Sequence, residues 1–171
     1  GSVHIDFNEA TAMADAKKIV KLAIEQYKGR NAQGVRIPKF KKQVVGGFSF
    51  EAMMNLFAKI NPDAPISVLT DAILAGEIKG VCALIGCNNQ KVVHDDSMIE
   101  MAKELARNNV FMVSTGCAAG AFAKSGLLSS EGVDLYAGEG LKKFIKRLED
   151  KCGLNAGLPL VYHMGSCVDN S

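Results

Sequence analysis

The sequence predicts an open α/β layer: a parallel sheet of short strands with helices on its faces. Three observations predict it. Gly80 to Ile85 (GVCALI), Val110 to Val113 (VFMV) and Leu160 to His163 (LVYH) are short apolar runs, the first two apolar on both faces. Strands of a covered parallel sheet read this way. Stretches of helical periodicity separate them, and such alternation implies a doubly wound architecture. Each run also ends at a Gly and then a Cys, so the same grammar closes all three strands.

The elements follow in chain order. From about Asn8 to Tyr27, Met13, Ala16, Val20, Ala23 and Tyr27 recur at three- and four-residue spacing, which predicts a helix. Asn8 is placed to cap it and Gly29 to end it. Gly29 to Lys42 is basic and interrupted by Pro38, and reads as a linker. Gln43 to Phe48 predicts a short strand running into a Gly turn. Ser49 can cap a helix reaching about Ile60, whose Phe50, Met53, Met54 and Phe57 form a core stripe. Asn61-Pro62 breaks that helix, and a short one follows from Ile66 to Ala75. Further helices are predicted at Ser97 to Arg107, from near Cys117, and at Leu141 to Lys151. Two domains result: residues 1–42, a tag remnant (Gly1-Ser2), helix and basic linker, and residues 43–171, the sheet domain.

Composition narrows the function. The chain has 171 residues, 48% of them hydrophobic, enough to bury a core. Twenty Lys and Arg against 18 Asp and Glu leave too small an excess for an electrostatic nucleic-acid binder. No apolar run reaches the roughly 18 residues that a membrane span needs, and no secretory signal is visible. A cytoplasmic location is the expectation. The five cysteines are an odd set without a Cys-x-x-Cys pair, which argues against a disulfide framework, a zinc ribbon and a thioredoxin-type site.

In an open parallel sheet, ligands bind outside the carboxyl ends of the strands. Gly86-Cys87, Gly116-Cys117 and Gly165-Ser166-Cys167 fall there. Gly permits a sharp turn and close approach to a bulky ligand, and helix N-termini favour thiolates over thiols. Backbone N–H groups can also donate to the sulfides of an iron–sulfur site. Cysteine is common in cores too, and Cys82 and Cys152 read as core thiols. For Cys87, Cys117 and Cys167 the pattern leaves a shared metal or cluster site and scattered core thiols both open. His4 reads as tag-proximal, His94 as a loop or cap residue, and His163 as structural or site-lining. Gly138-Glu139-Gly140 lacks the third Gly of a dinucleotide fingerprint, and Phe48-Ser49-Phe50-Glu51 is not a nucleophile elbow.

VVGGFSFEA (44–52), IGCNNQKV (85–92), STGCAAGAFAKSGLL (114–128), YAGEGLKK (136–143) and LPLVYHMGSCVDNS (158–171) together resemble the nickel-containing, anaerobic carbon monoxide dehydrogenases. The separations of 30 and 50 positions between Cys87, Cys117 and Cys167 fit that resemblance. It implies a Rossmann-like cluster-binding domain in an enzyme that interconverts CO and water with CO2, two protons and two electrons. By motif match, Cys87 and Cys117 would bind irons of the nickel–iron–sulfur C-cluster and Cys167 its nickel. A His and the other Cys ligands would come from an earlier domain. The resemblance further implies a homodimeric parent and an electron carrier such as ferredoxin, and leaves open whether the parent works alone or with acetyl-CoA synthase as a further partner.

The chain stops at Ser171, where the third strand would feed its helix, so the domain reads as truncated at its C-terminus. On that reading the isolated chain is expected to be inactive and metal-free. Two alternatives remain: a hybrid cluster protein of related fold, and a metal-free structural or docking domain.

Overall fold

The computed structural model describes residues 3–37, 39, 41–153 and 157–167. The chain divides into two compact units, Gly1–Phe40 and Lys41–Ser171. The expectations placed on Gly1-Ser2, Pro38, Val168-Asp169-Asn170 and Ser171 lie outside the described residues.

In the first unit, α1 (Ala12–Lys28) is the helix that periodicity predicts, begun four residues later. Asn8 explains the delay. Its Oδ1 accepts the Ala10 N–H at 2.9 Å and its carbonyl accepts the Thr11 N–H at 3.0 Å. These bonds build a turn ahead of the helix instead of a cap on it. Gly29 ends the helix, and no residue of α1 is buried.

The second unit carries the sheet. β1 (Gly80–Ile85), β2 (Val110–Thr115) and β3 (Val161–His163) lie side by side in that order. Both pairings are parallel, with Ile85 opposite Thr115 and Ser114 opposite His163. Among the described residues, six helices accompany them: α2 (Phe50–Ala58), α3 (Ser67–Leu74), α4 (Asp96–Arg107), α5 (Gly116–Ser125), α6 (Ser130–Tyr136) and α7 (Glu139–Cys152). Ser49 caps α2, its Oγ accepting the Ala52 N–H at 3.2 Å. The helix α6 was not predicted; its seven residues, SEGVDLY, are too few to show a periodic apolar stripe.

The strand predicted over Gln43 to Phe48 does not form. Val45 donates to the Leu128 carbonyl at 2.7 Å and Phe48 to the His163 carbonyl at 3.0 Å. Between them Gly47 turns to φ 87°, which breaks the extended run before a ladder can build.

Side chains alternate across the sheet. On one face Phe111 packs on Phe57 of α2, Phe144 of α7 and Tyr162 of β3, with ring centroids 6.4, 5.6 and 4.6 Å away. Burial pushes the Tyr162 phenol far above its usual value. The other face, with Leu84 and Met112, is covered by α4 and α5. The expectation that β1 is covered on both faces fails on the first of these faces. Val81 is 46% and Ile85 62% exposed, because β1 is an edge strand and the aromatic cluster sits over β2 and β3.

The Gly-Glu-Gly segment proves to be a packing device. A Cβ on Gly140 would stand 2.0 Å from the Glu77 carbonyl oxygen. Asn109, at φ 60°, accepts the Leu141 N–H through Oδ1 at 3.0 Å. Arg147 meets Glu77 at 2.7 Å. Together these seat α7 against the chain segments leading into β1 and β2. Among the described residues, no helix is long and apolar enough to cross a membrane.

Phe111 is the hinge of this packing, since it touches two helices and β3. Phe111→Ala is expected to lower stability by about 3–5 kcal/mol, the usual range for a buried aromatic, measured as a lower urea midpoint. A change below 1 kcal/mol would mean that the cluster is not the centre of the core.

Candidate metal centre

Parallel pairing sends all three strands out of the sheet at one edge. Cys87 lies two residues past Ile85, Cys117 two past Thr115, and Cys167 four past His163. All three are exposed, whereas Cys82 and Cys152 are partly buried. Cys82 packs against the core from within β1. Cys152 ends α7 and directs its thiol to the Leu56 carbonyl at 3.8 Å. Burial raises its thiol above the ordinary value, with Lys59 acting weakly in the opposite sense. Both thus behave as the structural thiols that the sequence suggests.

The loops are tied to one another. Ala118, in the first turn of α5, donates its N–H to the Gly86 carbonyl at 3.1 Å. Thr115 donates its hydroxyl to the Gly165 carbonyl at 2.7 Å, and Met164 continues the ladder by donating to Ser114 O at 2.9 Å. Ser114 donates its buried hydroxyl to Leu84 O at 2.8 Å. Gly116 sits at φ 69°, and a Cβ there would lie 2.7 Å from the Cys167 Sγ. Here the glycine does what the sequence requires of it: it admits a left-handed turn and lets a neighbouring thiol lie against its Cα.

The histidines are accounted for locally. His163 accepts the Gly165 N–H through Nδ1 at 3.0 Å, and so shapes the chain leading to Cys167. His94 lies 3.2 Å from Asp95, and His4 lies 2.9 Å from Asp6 on the surface. Sequence reasoning missed Asp95. It is buried, at φ 68°, bonded to Asn88 and paired with Lys124. The hydrogen bond from Lys124 holds its carboxyl below the usual range, against the opposing effect of burial. The Asn directly after Cys87 was the available signal, but its partner is seven positions away and invisible to periodicity.

Soft thiolates suit iron and nickel, and three exposed cysteines at one sheet edge fit part of such a ligand set. They do not complete one. Among the described residues, no three His, Cys, Asp or Glu side chains stand close enough to share a metal ion.

A sequence model described as the Prismane/CO dehydrogenase family matches residues 1–171. The chain belongs to the Prismane/CO dehydrogenase family. It is 52% identical over its whole length to Carbon monoxide dehydrogenase 1 of Carboxydothermus hydrogenoformans, of which it covers 27%. It is 49% identical, again over its whole length, to the Carbon monoxide dehydrogenase/acetyl-CoA synthase subunit beta of Moorella thermoacetica, covering 26%. The solved structure of Carbon Monoxide Dehydrogenase IV from C. hydrogenoformans matches 98% of the chain at a TM-score of 0.88 and 48% identity, with 26% of that structure covered. This family member thus spans about a quarter of the length of these relatives.

Two measurements check the site's construction. Cys152 should alkylate more slowly than Cys87, Cys117 and Cys167, because a raised thiol pKa leaves less thiolate at a given pH; peptide mass spectrometry after timed iodoacetamide exposure reads this. Equal rates would contradict the described burial. Gly116→Ala should lose about 1–2 kcal/mol from the left-handed backbone alone, seen as a lower denaturant midpoint. An unchanged midpoint would mean that the turn or the Cys167 contact is absent.

Proposed function

We propose that this chain is the cluster-binding portion of an anaerobic nickel-dependent carbon monoxide dehydrogenase, which converts CO and water to CO2, two protons and two electrons. One observation carries the reading. Exposed cysteines follow the ends of three parallel strands at one edge, in a chain 52% identical throughout to a protein named carbon monoxide dehydrogenase. That identity favours this function over a hybrid cluster protein or a metal-free docking domain.

In this reading Cys87 and Cys117 bind irons and Cys167 binds nickel, and donors from the remaining domains of a longer polypeptide complete the set. When bound, the nickel–iron–sulfur cluster supplies the metal sites for CO and water and accepts the two electrons. The chain's own residues hold the ligands. Thr115 and His163 fix the backbone ahead of Cys167 through the Gly165 carbonyl and N–H. Ala118 fixes the turn before Cys87 through Gly86. The N-terminal turn of α5 carries Cys117 and has N–H groups without intrahelical partners of their own, suited to negatively charged sulfur. The electrons then pass to a carrier protein of the ferredoxin type, and the parent is read as a homodimer.

The test is Cys167→Ala in the full-length protein, prepared anaerobically. CO-dependent reduction of a viologen dye should disappear while the circular dichroism spectrum stays unchanged, since an exposed loop thiol contributes little to a core. Retained turnover would overturn the role given to Cys167. The 171-residue chain, reconstituted alone with iron, sulfide and nickel, should show no turnover above free metal, because a cubane cluster normally takes four thiolates.

A further inference from the structure

Ten residues connect β1 to α4, from Gly86 to Asp95, and Cys87 lies at their start. Two reciprocal hydrogen bonds close this loop. Asn88 Nδ2 donates to Asp95 Oδ1 at 2.7 Å, and the Asp95 N–H donates to Asn88 Oδ1 at 2.7 Å. The second carboxylate oxygen of Asp95 takes the ammonium group of Lys124. Lys124 lies on α5, the helix whose first turn contains Cys117. One carboxylate therefore joins the residue beside Cys87 to the helix of Cys117.

Helix capping does not account for Asp95. It occupies the N-cap position of α4, where an Asp side chain ordinarily accepts an N–H from the first turn. Here it makes no such bond. The side chain faces the Cys87 loop instead, and its backbone holds a left-handed conformation at φ 68° that costs a residue with a Cβ. The residue is only 8% exposed, and a buried carboxylate is unfavourable unless fully partnered. An apolar residue would serve a core position better, and a capping rotamer would serve α4 better.

We propose that Asp95 is a positioning residue that fixes the Cys87 loop against α5, so that Cys87 and Cys117 hold a set separation before any metal arrives. The proposal rests on the reading that these two cysteines are cluster ligands. The backbone bond from Ala118 to Gly86 secures the near end of the loop. The Asp95 clip secures Asn88 and the far end, so Cys87 is held between two attachments. Without Asp95 the loop keeps one.

The experiment uses the full-length protein, metal-free and reconstituted, with Asp95→Ala, Asp95→Asn, Lys124→Met and Cys87→Ala. Asp95→Asn keeps an oxygen for Asn88 but loses the charge that holds Lys124. Lys124→Met changes a side chain that is 62% exposed, which keeps the test informative if Asp95→Ala fails to fold. In the metal-free protein, amide exchange over residues 86–95 should quicken in Asp95→Ala, and less so in Asp95→Asn and Lys124→Met, with the core strands unchanged. Resistance of bound iron and nickel to a chelator should fall about 10- to 100-fold in Asp95→Ala, the usual effect of losing a group that orients a metal ligand. The paramagnetic resonance spectrum of the reconstituted protein should shift in the same order. Unchanged exchange, metal retention and spectrum in the Asp95 and Lys124 variants, beside metal loss in Cys87→Ala, would overturn the positioning role and leave the ligand reading intact. Full metal retention in Cys87→Ala would overturn the ligand reading itself. Metal loss with uniform destabilisation of the core, and no local change in exchange, would make Asp95 merely structural and also overturn the proposal.

Discussion

The parallel pairing of β2 with a strand on each side is the constraint on which the rest depends. β1 pairs with it over six positions and β3 over three. Parallel strands all end at the same edge, so a cysteine placed just beyond each strand must arrive there whatever the crossovers do. β2 can serve as this axis because both of its faces are covered: Phe111 beneath the aromatic cluster, Met112 beneath α4 and α5. The cysteine edge is thus a consequence of core packing some distance away. A fault in the core would reach the loops through strand register.

The sheet was legible because its signals are local and repeated. The GVCALI run gives β1 to the residue, and the same strand–Gly–Cys grammar marks all three strand ends. What escaped was either short or relational. The helix α6 has seven residues and no stripe. The Gln43 to Phe48 segment has strand composition, but Gly47 at φ 87° ends its pairing. The open face of β1 follows from its place at the sheet edge, and strand order is not written in an apolar run. Of the candidate site, the three cysteines were legible and their bracing was not. Thr115 to Gly165 links a strand end to a loop, Asn88 to Asp95 closes one loop on itself, and nothing in residue periodicity encodes either partner.

The cysteine edge and the opposite part of the molecule are held by different forces. Around α7, close packing and an ion pair act together: Gly140 leaves no room for a Cβ, Asn109 supplies one directed bond, and Arg147 pairs with Glu77. At the cysteine edge, directed polar bonds dominate. β3 offers only three ladder residues, too few to fix the chain that follows. Met164 extends the ladder by one bond, and Thr115 then holds Gly165 by its side chain where backbone pairing has run out.

That difference bears on why polar groups are buried where they are. Among the described residues, Asp95, Ser114, Thr115 and Ser129 form the buried polar set. Three of the four stand at the cysteine edge: Ser114 bonds the neighbouring strand, Thr115 the neighbouring loop, and Asp95 both Asn88 of its own loop and Lys124 of α5. Buried polar groups add little net stability over apolar ones of similar shape, yet they are costly when mispaired. Their benefit is directional, since each fixes one geometry and penalises the alternatives. A sheet edge that needed only to be stable could be filled with apolar side chains of similar shape. On the proposed function, an edge that holds several exposed thiols in a fixed arrangement needs bonds that fail when the arrangement changes, and the bonds of Asp95, Ser114 and Thr115 are of that kind.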